Sequence, residues 1–437
     1  MRLVILGGGE SGTGAALLAK QQGIDVFVSD AATIPADYKD LLINHQIPFE
    51  EGGHTIATIQ SADEVIKSPG IPDKAIMVRQ LRDHHIPIID EIEFAARYAT
   101  GKIIAITGSN GKSTTAHLIY HLLHTAGYHV ALAGNIGYSF AKCLTKSSYD
   151  YYVLELSSFQ LEGIRYFKPA IACLLNITPD HLDRYHYAIE AYAKVKLNIL
   201  RNMGPLDHFI YNPSDAITTQ YLQAQQVLPT LHPIDFPSTD SSNFNKESCS
   251  FAISKSPAAL LGDHNRYNAT VAVTAATLAG LPSETIAAAL PKFCGLPHRL
   301  EWCGAPQGID CYNDSKSTNI ASTTAALLSF SQPIIWIAGG IDKGNTYSPL
   351  LPIVKERVKA IICLGKENSA IVKAFYPLGL PIHETDNLSS AIDSALSIAR
   401  PGEVILLSPA CASFDLFKNF EDRGNQFKDK VKERIKN

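Results

Sequence analysis

The stretch IIAITGSNGKSTT, residues 103–115, decides the fold because it joins a strand, a glycine loop and the start of a helix. The β-branched run IIAIT predicts a buried strand, and the residues from Ser113 onward predict a helix. Glycines at such a junction let backbone N–H groups approach phosphate oxygens, and the helix N-terminus adds partial positive charge. Lys112 suits contact with β- and γ-phosphates, and a hydroxyl of Ser113 or Thr114 suits Mg²⁺. The stretch therefore predicts a nucleotide-binding phosphate loop.

This loop departs from the general pattern G-x-x-x-x-G-K-[ST], because Ile106 stands where that pattern has its first glycine. We interpret it as a shorter form of the same loop. A glycine turn that merely precedes a helix is the alternative, and the combination of strand, Gly-Lys-Ser and helix disfavours it. The residues predicted to contact the phosphates are Gly108, Ser109, Asn110, Gly111, Lys112, Ser113 and Thr114.

On both sides of the loop, short β-branched runs alternate with helical stretches, which indicates α/β architecture with parallel sheets. At roughly 150 residues per domain, a chain of 437 residues suggests about three domains. We expect a Rossmann-like N-terminal domain, a central phosphate-loop ATPase domain with a parallel sheet, and a Rossmann-like C-terminal domain. Their expected ranges are 1–92, 93–296 and 297–437. A polar stretch at 237–250 predicts a surface excursion.

The amino-acid composition indicates which class of protein and which partners are expected. With 46% hydrophobic and 18% charged residues the chain can bury real cores, and its net charge of −4 gives no reason to expect nucleic acid or an anionic membrane as partner. The eight cysteines never form Cys-x-x-Cys, which favours reduced thiols. The sequence shows neither a signal peptide nor an apolar run of the roughly 20 residues that span a membrane. We expect a cytoplasmic, soluble monomer.

A second glycine loop, GGGESG at residues 7–12, fits G-x-G-x-x-G after a strand, and Asp30 ends the next strand. This spacing is typical of dinucleotide binding, but any tight turn between strand and helix selects glycine. A nucleotide or phosphate ligand is expected here, and NAD is one possibility.

Candidate metal ligands follow two further strands. Glu155 stands at the end of the strand YYVLEL, while His181 and Asp183 follow the strand AIACLLNI. The carboxyl ends of strands are where ligands bind in α/β sheets, and a carboxylate near a phosphate loop suits Mg²⁺. Imidazole is a less usual Mg²⁺ ligand than oxygen, so a capping or hydrogen-bonding role for His181 stays open.

Three polar loops in the last domain also follow strands, at residues 313–319, 339–344 and 408–415. They predict one shared site whose lysines hold an anionic substrate or ATP phosphates, with ordinary surface loops as the alternative. Cys411 has no histidine nearby in sequence, and we interpret Ser-Pro-Ala-Cys as a turn, so covalent catalysis there is disfavoured.

The motifs resemble those of the Mur ligase family. The resemblance rests on TGSNGKSTT, LELSSFQLE, NITPDHLDRY, GLPHRLE, NDSKSTN, GGIDKG and SPACASFDLFKNFEDRG, which occur in order along almost the whole chain. It implies an ATP-dependent amide ligase of peptidoglycan precursor synthesis that forms an acyl phosphate. LELSSFQLE and SPACAS favour the member that adds D-glutamate to UDP-N-acetylmuramoyl-L-alanine. A C-terminal domain that closes over the site is also implied.

The resemblance assigns roles residue by residue. It re-interprets the first glycine loop as a UDP site, although Ala31-Ala32 stands where family members carry Thr-Arg. Two Mg²⁺ ions are implied, one held by Ser113 and Glu155 and one by His181 and carbamylated Lys196. Lys112, His181 and Lys196 are the implied catalytic residues. Further implied ATP contacts are Asn268, Arg299 and Asp314. Implied substrate contacts are Ser11, Asp30, Ser68, Asn135, His181, Lys316, Thr318, Lys343, Ser413, Phe414 and Phe420, where Phe414 replaces a familiar leucine.

Two alternatives remain at this stage. One is a sister ligase for another amino acid or a folate polyglutamate ligase. The latter would not need a UDP-type N-terminal domain, and the Asp-Asn-Pro-Arg motif of the diamino-acid-adding kind is absent from the sequence. The other is an NAD-dependent oxidoreductase built on the first glycine loop, which leaves the central phosphate loop unexplained.

Overall fold

The computed structural model of the chain describes residues 1–180, 182–224, 228–235 and 260–436. The stretch 237–250, expected to be a surface excursion, lies outside the described residues. The described residues form two compact units, one within residues 1–255 and 267–291 and the other within 256–266 and 292–437. The first unit contains two β-sheets and the second contains one.

The N-terminal sheet has five parallel strands in the order β3-β2-β1-β4-β5. Its strands are β1 (Arg2–Leu6), β2 (Asp25–Ser29), β3 (Phe49–Glu50), β4 (Glu64–Lys67) and β5 (Ile88–Ile89). Its helices are α1 (Glu10–Gln21), α2 (Ala36–Asn44), α3 (Ile56–Gln60), α4 (Ile76–Asp83) and α5 (Glu91–Ala96). This is the predicted Rossmann-like arrangement, in which the strand order reverses on either side of β1.

The central sheet has six parallel strands in the order β11-β10-β9-β6-β8-β7. The strands are β6 (Lys102–Thr107), β7 (Val130–Gly134), β8 (Tyr151–Glu155), β9 (Ile171–Leu174), β10 (His208–Tyr211) and β11 (Thr230–Pro233). The helices are α6 (Lys112–Thr125), α7 (Phe140–Leu144), α8 (Ser158–Glu162), α9 (Ile189–Leu197), α10 (Ala216–Ala224), α11 (Asp263–Leu278) and α12 (Ser283–Ala289).

The C-terminal sheet has the order β12-β13-β17-β14-β15-β16, parallel except for β12. Its strands are β12 (Glu301–Gly304), β13 (Asp310–Asn313), β14 (Ile334–Gly339), β15 (Val358–Leu364), β16 (Ile382–Thr385) and β17 (Val404–Ala410). Its helices are α13 (Ile320–Leu328), α14 (Leu351–Arg357), α15 (Ser369–Phe375), α16 (Leu388–Ile398) and α17 (Phe420–Lys436).

The predicted α/β class and its three parallel-sheet regions are confirmed. Each predicted domain contains one sheet, while the boundaries at 92/93 and 296/297 stay predictions. Residues 408–410, interpreted as part of a turn, instead complete β17, which ends at Ala410 with a left-handed φ of 60°. None of the described helices is both long and apolar enough to cross a membrane.

Within the first unit, helix packing joins the two sheets. Helix α1 packs against both α5 and α7, and one hydrophobic cluster runs from Leu3 and Ile5 to Ala105 and Leu154. The buried carboxyl of Glu91, at the start of α5, accepts a hydrogen bond from the backbone N–H of Ala141 in α7 at 2.5 Å. Burial raises the pKa of Glu91 to about 8.

This carboxyl predicts a pH-dependent stability. Because the folded pKa of Glu91 lies above its ordinary value of 4.5, the native chain holds a proton that the unfolded chain loses between about pH 4.5 and 8. Its contribution to the free energy of unfolding therefore falls as pH rises through that window. Relative to Glu91→Gln, the wild type should lose more than about 1 kcal/mol between pH 5 and pH 8 in urea unfolding.

The exposed Glu284 supplies the control, because Glu284→Gln removes a carboxylate without changing a buried group. Its unfolding free energy should run parallel to that of the wild type at both pH values. Parallel profiles for Glu91→Gln and wild type would contradict the assignment.

Candidate active site

The phosphate loop lies where predicted, between β6 and α6. Its backbone requires glycine at two places, since Gly108 has φ +146° and Gly111 has φ +88°. A Cβ atom added to Gly111 would lie 2.4 Å from Oδ1 of Asn268, a predicted ATP contact in α11. Any larger residue at this position would therefore strain the backbone and displace the asparagine.

A neighbouring loop fixes the shape of the phosphate loop. The backbone N–H of Asn110 donates to Oδ1 of Asn176 at 2.9 Å, and Nδ2 of Asn176 donates to the Asn110 carbonyl at 3.0 Å. The Ser109 hydroxyl donates to the Thr178 carbonyl and accepts from the Thr178 N–H, both at 2.9 Å. The loop after β9, which carries the motif NITPDHLDRY, thus holds the phosphate loop through reciprocal pairs.

Two lysines donate to one carbonyl of the phosphate loop. Nζ of Lys112 donates to the carbonyls of Gly108 and Ser109 at 2.8 Å, and Nζ of Lys196 donates to the Gly108 carbonyl at 2.9 Å. The side chain of Lys196 is almost wholly buried, with 1% of the residue exposed. Burial, and next the charge of Lys112, lower the pKa of Lys196 to about 7. Near neutral pH a large share of this amine is therefore uncharged.

Glu155 supplies a buried carboxylate beside the loop. It ends β8, paired in register with Ile106 of β6, and its Oε1 accepts a hydrogen bond from Nδ2 of Asn135 at 2.8 Å. Its Oε2 is buried and has no hydrogen-bond partner among the described residues. A buried carboxylate oxygen without a protein donor fits a divalent cation, so the predicted Mg²⁺ ligand passes this test.

The structure describes only some of the remaining predicted metal ligands. Ser113 lies in the first turn of α6 and is partly buried, whereas its neighbour Thr114 is buried. His181 and the side chain of Asp183 lie outside the described residues. Within the described part, no group of three or more His, Cys, Asp or Glu side chains could hold a metal ion. The second Mg²⁺ ion thus remains a prediction from the sequence.

The three predicted UDP contacts lie together at the carboxyl edge of the N-terminal sheet. Asp30 Oδ2 accepts from the Gly8 N–H at 2.7 Å, so this carboxylate fixes the first glycine loop. A Cβ added to Gly7 would lie 2.5 Å from the Ser68 hydroxyl, which shows how closely the loop after β4 approaches. Ser11 lies in the first turn of α1. No described hydrogen bond joins this group directly to the phosphate loop.

In the second unit, the three predicted polar loops follow β13, β14 and β17, which are neighbours in the sheet. The ammonium group of Lys316 lies 3.9 Å from the ring centroid of Phe420, a cation–π contact. Lys343 is exposed and Thr318 half-buried. Ser413 is buried, while Phe414 beside it is 66% exposed.

Asp314 and Arg299 occupy the same region of the second unit. Asp314 accepts hydrogen bonds from the Ser408 hydroxyl at 2.9 Å and the Leu300 N–H at 3.2 Å, and burial raises its pKa to about 6. Arg299, whose charge counteracts that shift, borders a cleft of about 530 Å³ together with Tyr312. The Cys411 thiol is buried and its pKa is raised by burial, which disfavours the nucleophilic thiolate.

Three residues in these sites escaped the sequence interpretation. Asn176 and Tyr192 support the phosphate loop, since the Tyr192 hydroxyl lies 3.1 Å from that of Ser109. Tyr192 precedes Lys196 by four residues, a helical spacing that places both on one face of α9 and could have revealed it. Arg423, buried in the C-terminal unit, gave no signal because a lone arginine in FEDRG is typical of a solvated helix face.

Comparison with known proteins decides the family. Residues 2–77 match the MurD N-terminal domain, residues 106–276 the Mur ligase middle domain, and residues 298–411 the Mur ligase glutamate ligase domain. A relative from Bacteroides fragilis named UDP-N-acetylmuramoylalanine--D-glutamate ligase is 46% identical, with 99% of each chain covered. The chain belongs to the Mur ligase family. A relative of the same name from Porphyromonas gingivalis is 44% identical, with 98% of each chain covered.

Solved structures carry the same Mur ligase fold. The UDP-N-acetylmuramate-alanine ligase MurC of Thermotoga maritima has a TM-score of 0.60 at 17% identity and covers 99% of both chains. A MurF ligase of Thermotoga maritima in complex with ADP also has a TM-score of 0.60, at 14% identity, with 94% of this chain and 95% of that chain covered. At these identities the likeness concerns the fold alone.

Substitution of the loop glycine tests whether Gly108 to Gly111 shape the nucleotide site. Gly111→Ala combines left-handed strain with the overlap on Asn268, so ATP affinity should fall by about tenfold or more. Equilibrium titration with a fluorescent ATP analogue measures this. Gly127, at the other end of α6, is the matched control because it has φ +92° but open space around its Cβ position. Gly127→Ala should bind ATP within about twofold of wild type; equal losses in both variants would contradict the assignment.

Proposed function

We infer that the chain is an ATP-dependent amide ligase that joins D-glutamate to the alanine carboxyl of UDP-N-acetylmuramoyl-L-alanine. The product is a peptidoglycan precursor, and the reaction passes through an acyl phosphate. The observation that carries this inference is the cluster at the phosphate loop. Lys112 and Lys196 both donate to the Gly108 carbonyl, and one buried oxygen of Glu155 has no hydrogen-bond partner among the described residues. Relatives 44–46% identical over nearly the whole chain, named as D-glutamate ligases, support the choice of amino acid.

The first chemical step is attack of the alanine carboxylate on the γ-phosphate of ATP, which breaks the bond to the β-phosphate and releases ADP. Lys112, at the start of α6, neutralises charge that develops on the phosphate oxygens, and the backbone N–H groups of the loop orient them. When bound, Mg²⁺ held by Glu155 and the Ser113 hydroxyl supplies further charge neutralisation. Asn135, which donates a hydrogen bond to Glu155, is proposed to align the substrate near this carboxylate. The side chain of Asn268 lies against Gly111 of the loop, and Asn268, Arg299 and Asp314 are the further proposed ATP contacts.

The second step is attack of the D-glutamate amine on the acyl phosphate. A tetrahedral intermediate then releases phosphate and leaves the amide. Lys316 and Lys343 are proposed to hold the anionic groups of D-glutamate or phosphate, with Thr318 and Ser413 as hydrogen-bonding partners. Phe414 and Phe420 are proposed to border the side chain of the amino acid. The amine gives up a proton as the amide forms.

The N-terminal sheet is proposed to bind the UDP moiety through Ser11, Asp30 and Ser68. Their clustering around the first glycine loop supports this assignment. With alanines at 31 and 32, the uracil is held without a Thr-Arg pair. The NAD alternative has no support from the relatives, and binding of NAD without binding of UDP-sugars would revive it.

The compartment and the oligomeric state are part of the proposal. Seven of the eight cysteines, those in the described part, are free thiols, which suits a reducing cytoplasm. We propose that the enzyme acts there as a monomer.

Lys196 is proposed to be carbamylated and to hold a second Mg²⁺ together with His181. Its lowered pKa and burial support this, because only the neutral amine reacts with CO₂, and the reaction turns a cation into an anionic ligand. Because its Nζ donates to the Gly108 carbonyl, the side chain of Lys196 lies at the phosphate loop.

Phosphate release tests the proposed reaction. With ATP, Mg²⁺ and UDP-N-acetylmuramoyl-L-alanine, D-glutamate should release phosphate at least about 100-fold faster than L-glutamate or the other amino acids, because discrimination by a built pocket reaches such factors. Equal rates with and without D-glutamate would contradict the assigned substrate. A higher rate with a different amino acid would identify a sister ligase instead.

Chemical rescue tests the carbamate. Lys196→Ala should lose activity by about 100-fold or more, as expected when a metal ligand is removed, and recover part of it with acetate or formate. Lys194→Ala, two residues away on the exposed face of α9, should keep wild-type activity and show no response to carboxylates. Full activity of Lys196→Ala without rescue would count against the carbamate.

A further inference from the structure

Arg423 lies at the centre of the C-terminal unit and contacts all three of its predicted substrate loops. It belongs to α17 and is 1% exposed. Nε donates to the Ser315 hydroxyl at 2.9 Å and Nη2 to the Ser315 carbonyl at 3.0 Å, which fixes the loop after β13. Nη1 and Nη2 both donate to the Cys411 carbonyl at 3.3 Å, and Nη1 lies 3.5 Å from the Gly339 carbonyl. One guanidinium therefore ties the loops after β13, β17 and β14.

The packing around this guanidinium leaves little room for another arrangement. A Cβ added to Gly340 would lie 3.3 Å from Nη1 of Arg423 and 2.1 Å from the Ala412 carbonyl. The Ser315 hydroxyl donates in turn to the Phe420 carbonyl at 2.9 Å, which joins the loop to the start of α17. A lysine has one nitrogen where arginine has three in a fixed plane, so it cannot reproduce these contacts.

The charge of Arg423 is balanced mainly by peptide dipoles. No described carboxylate accepts a hydrogen bond from it or forms an ion pair with it, although the charge of Asp415 favours the cation. Burial lowers the pKa of Arg423 to about 10, so it stays charged at neutral pH. Separating a buried cation from the carbonyl groups that bind it costs much free energy. Removing the cation leaves those carbonyls without hydrogen-bond donors.

We propose that Arg423 is a positioning residue that sets the spacing of the three loops and thereby the affinity for the amino-acid substrate. The loops carry Lys316, Lys343 and Ser413, whose relative positions the guanidinium fixes. Being buried, Arg423 acts through the loops and does not touch substrate. The identity of that substrate as D-glutamate rests on the proposed function above, whereas the effect on loop order does not.

The test compares Arg423→Lys with wild type by hydrogen–deuterium exchange and by kinetics. Amides in residues 313–319, 339–345 and 410–415 should exchange about tenfold faster in the variant, while the strands of the same sheet keep wild-type rates. The KM for D-glutamate should rise about tenfold, and the KM for UDP-N-acetylmuramoyl-L-alanine should stay within about twofold. Arg434→Lys is the matched control, since Arg434 lies on α17 but pairs with Asp393.

Wild-type exchange rates in the three loops of Arg423→Lys would overturn the proposal, as would acceleration confined to α17. Loosened loops with an unchanged KM for D-glutamate would also overturn it. If Arg423→Lys does not fold, Ser315→Ala removes the hydroxyl that accepts from Nε of Arg423 and donates to the Phe420 carbonyl, and it should accelerate exchange in residues 313–319. If wild type shows no reaction with D-glutamate, the proposed function fails, and the exchange rates alone decide the role of Arg423.

Discussion

The Gly108 carbonyl accepts hydrogen bonds from the side chains of two lysines, and the candidate active site of the first unit depends on this interaction. Lys112 and Lys196 come from different helices, α6 and α9, and converge on one oxygen. Like charges at such a distance oppose each other, which contributes to the lowered pKa of Lys196. Nearby anionic charge offsets this repulsion, and Glu155, whose charge raises the pKa of Lys196, supplies part of it. This geometry thus suits transfer of a phosphate group. Repulsion between the two lysines would disfavour it in a turn that has only a structural role.

The sheets explain how distant sequence motifs reach these positions. Strands β6, β8 and β9 are neighbours, so the phosphate loop, Glu155 and the NITPDHLDRY loop all emerge at the same carboxyl edge. Strands β13, β17 and β14 do the same for the lysine-bearing loops of the second unit. Parallel pairing of the strands does not by itself fix the loops that follow them, however, so further hydrogen bonds must hold these loops in place. Asn176 does this in the first unit and Arg423 in the second.

The sequence predicted the strands that form continuous apolar runs, at the edges as well as inside the sheets, and missed short strands that carry polar residues, such as β3, β10, β11, β12 and β16. Runs such as IIAIT and PIIWIAGG are buried on both faces and read as continuous apolar segments, whereas β3, β11, β12 and β16 lie at sheet edges with polar residues. Site residues that belong to a local motif, such as Lys112 and Glu155, could also be predicted from the sequence. Lys196 was predicted only from the family resemblance, because the residues next to a lysine in the sequence do not show whether it is buried. Asn176 and Arg423 were missed because their roles depend on long-range hydrogen bonds.

The phosphate loop and its neighbours are proposed to form an acyl phosphate on the alanine carboxylate. Isotope transfer tests it directly. When the carboxylate of UDP-N-acetylmuramoyl-L-alanine is labelled with ¹⁸O and the reaction is run with ATP and D-glutamate, one labelled oxygen should appear in the released phosphate. Released phosphate without label, or label in AMP, would contradict the account.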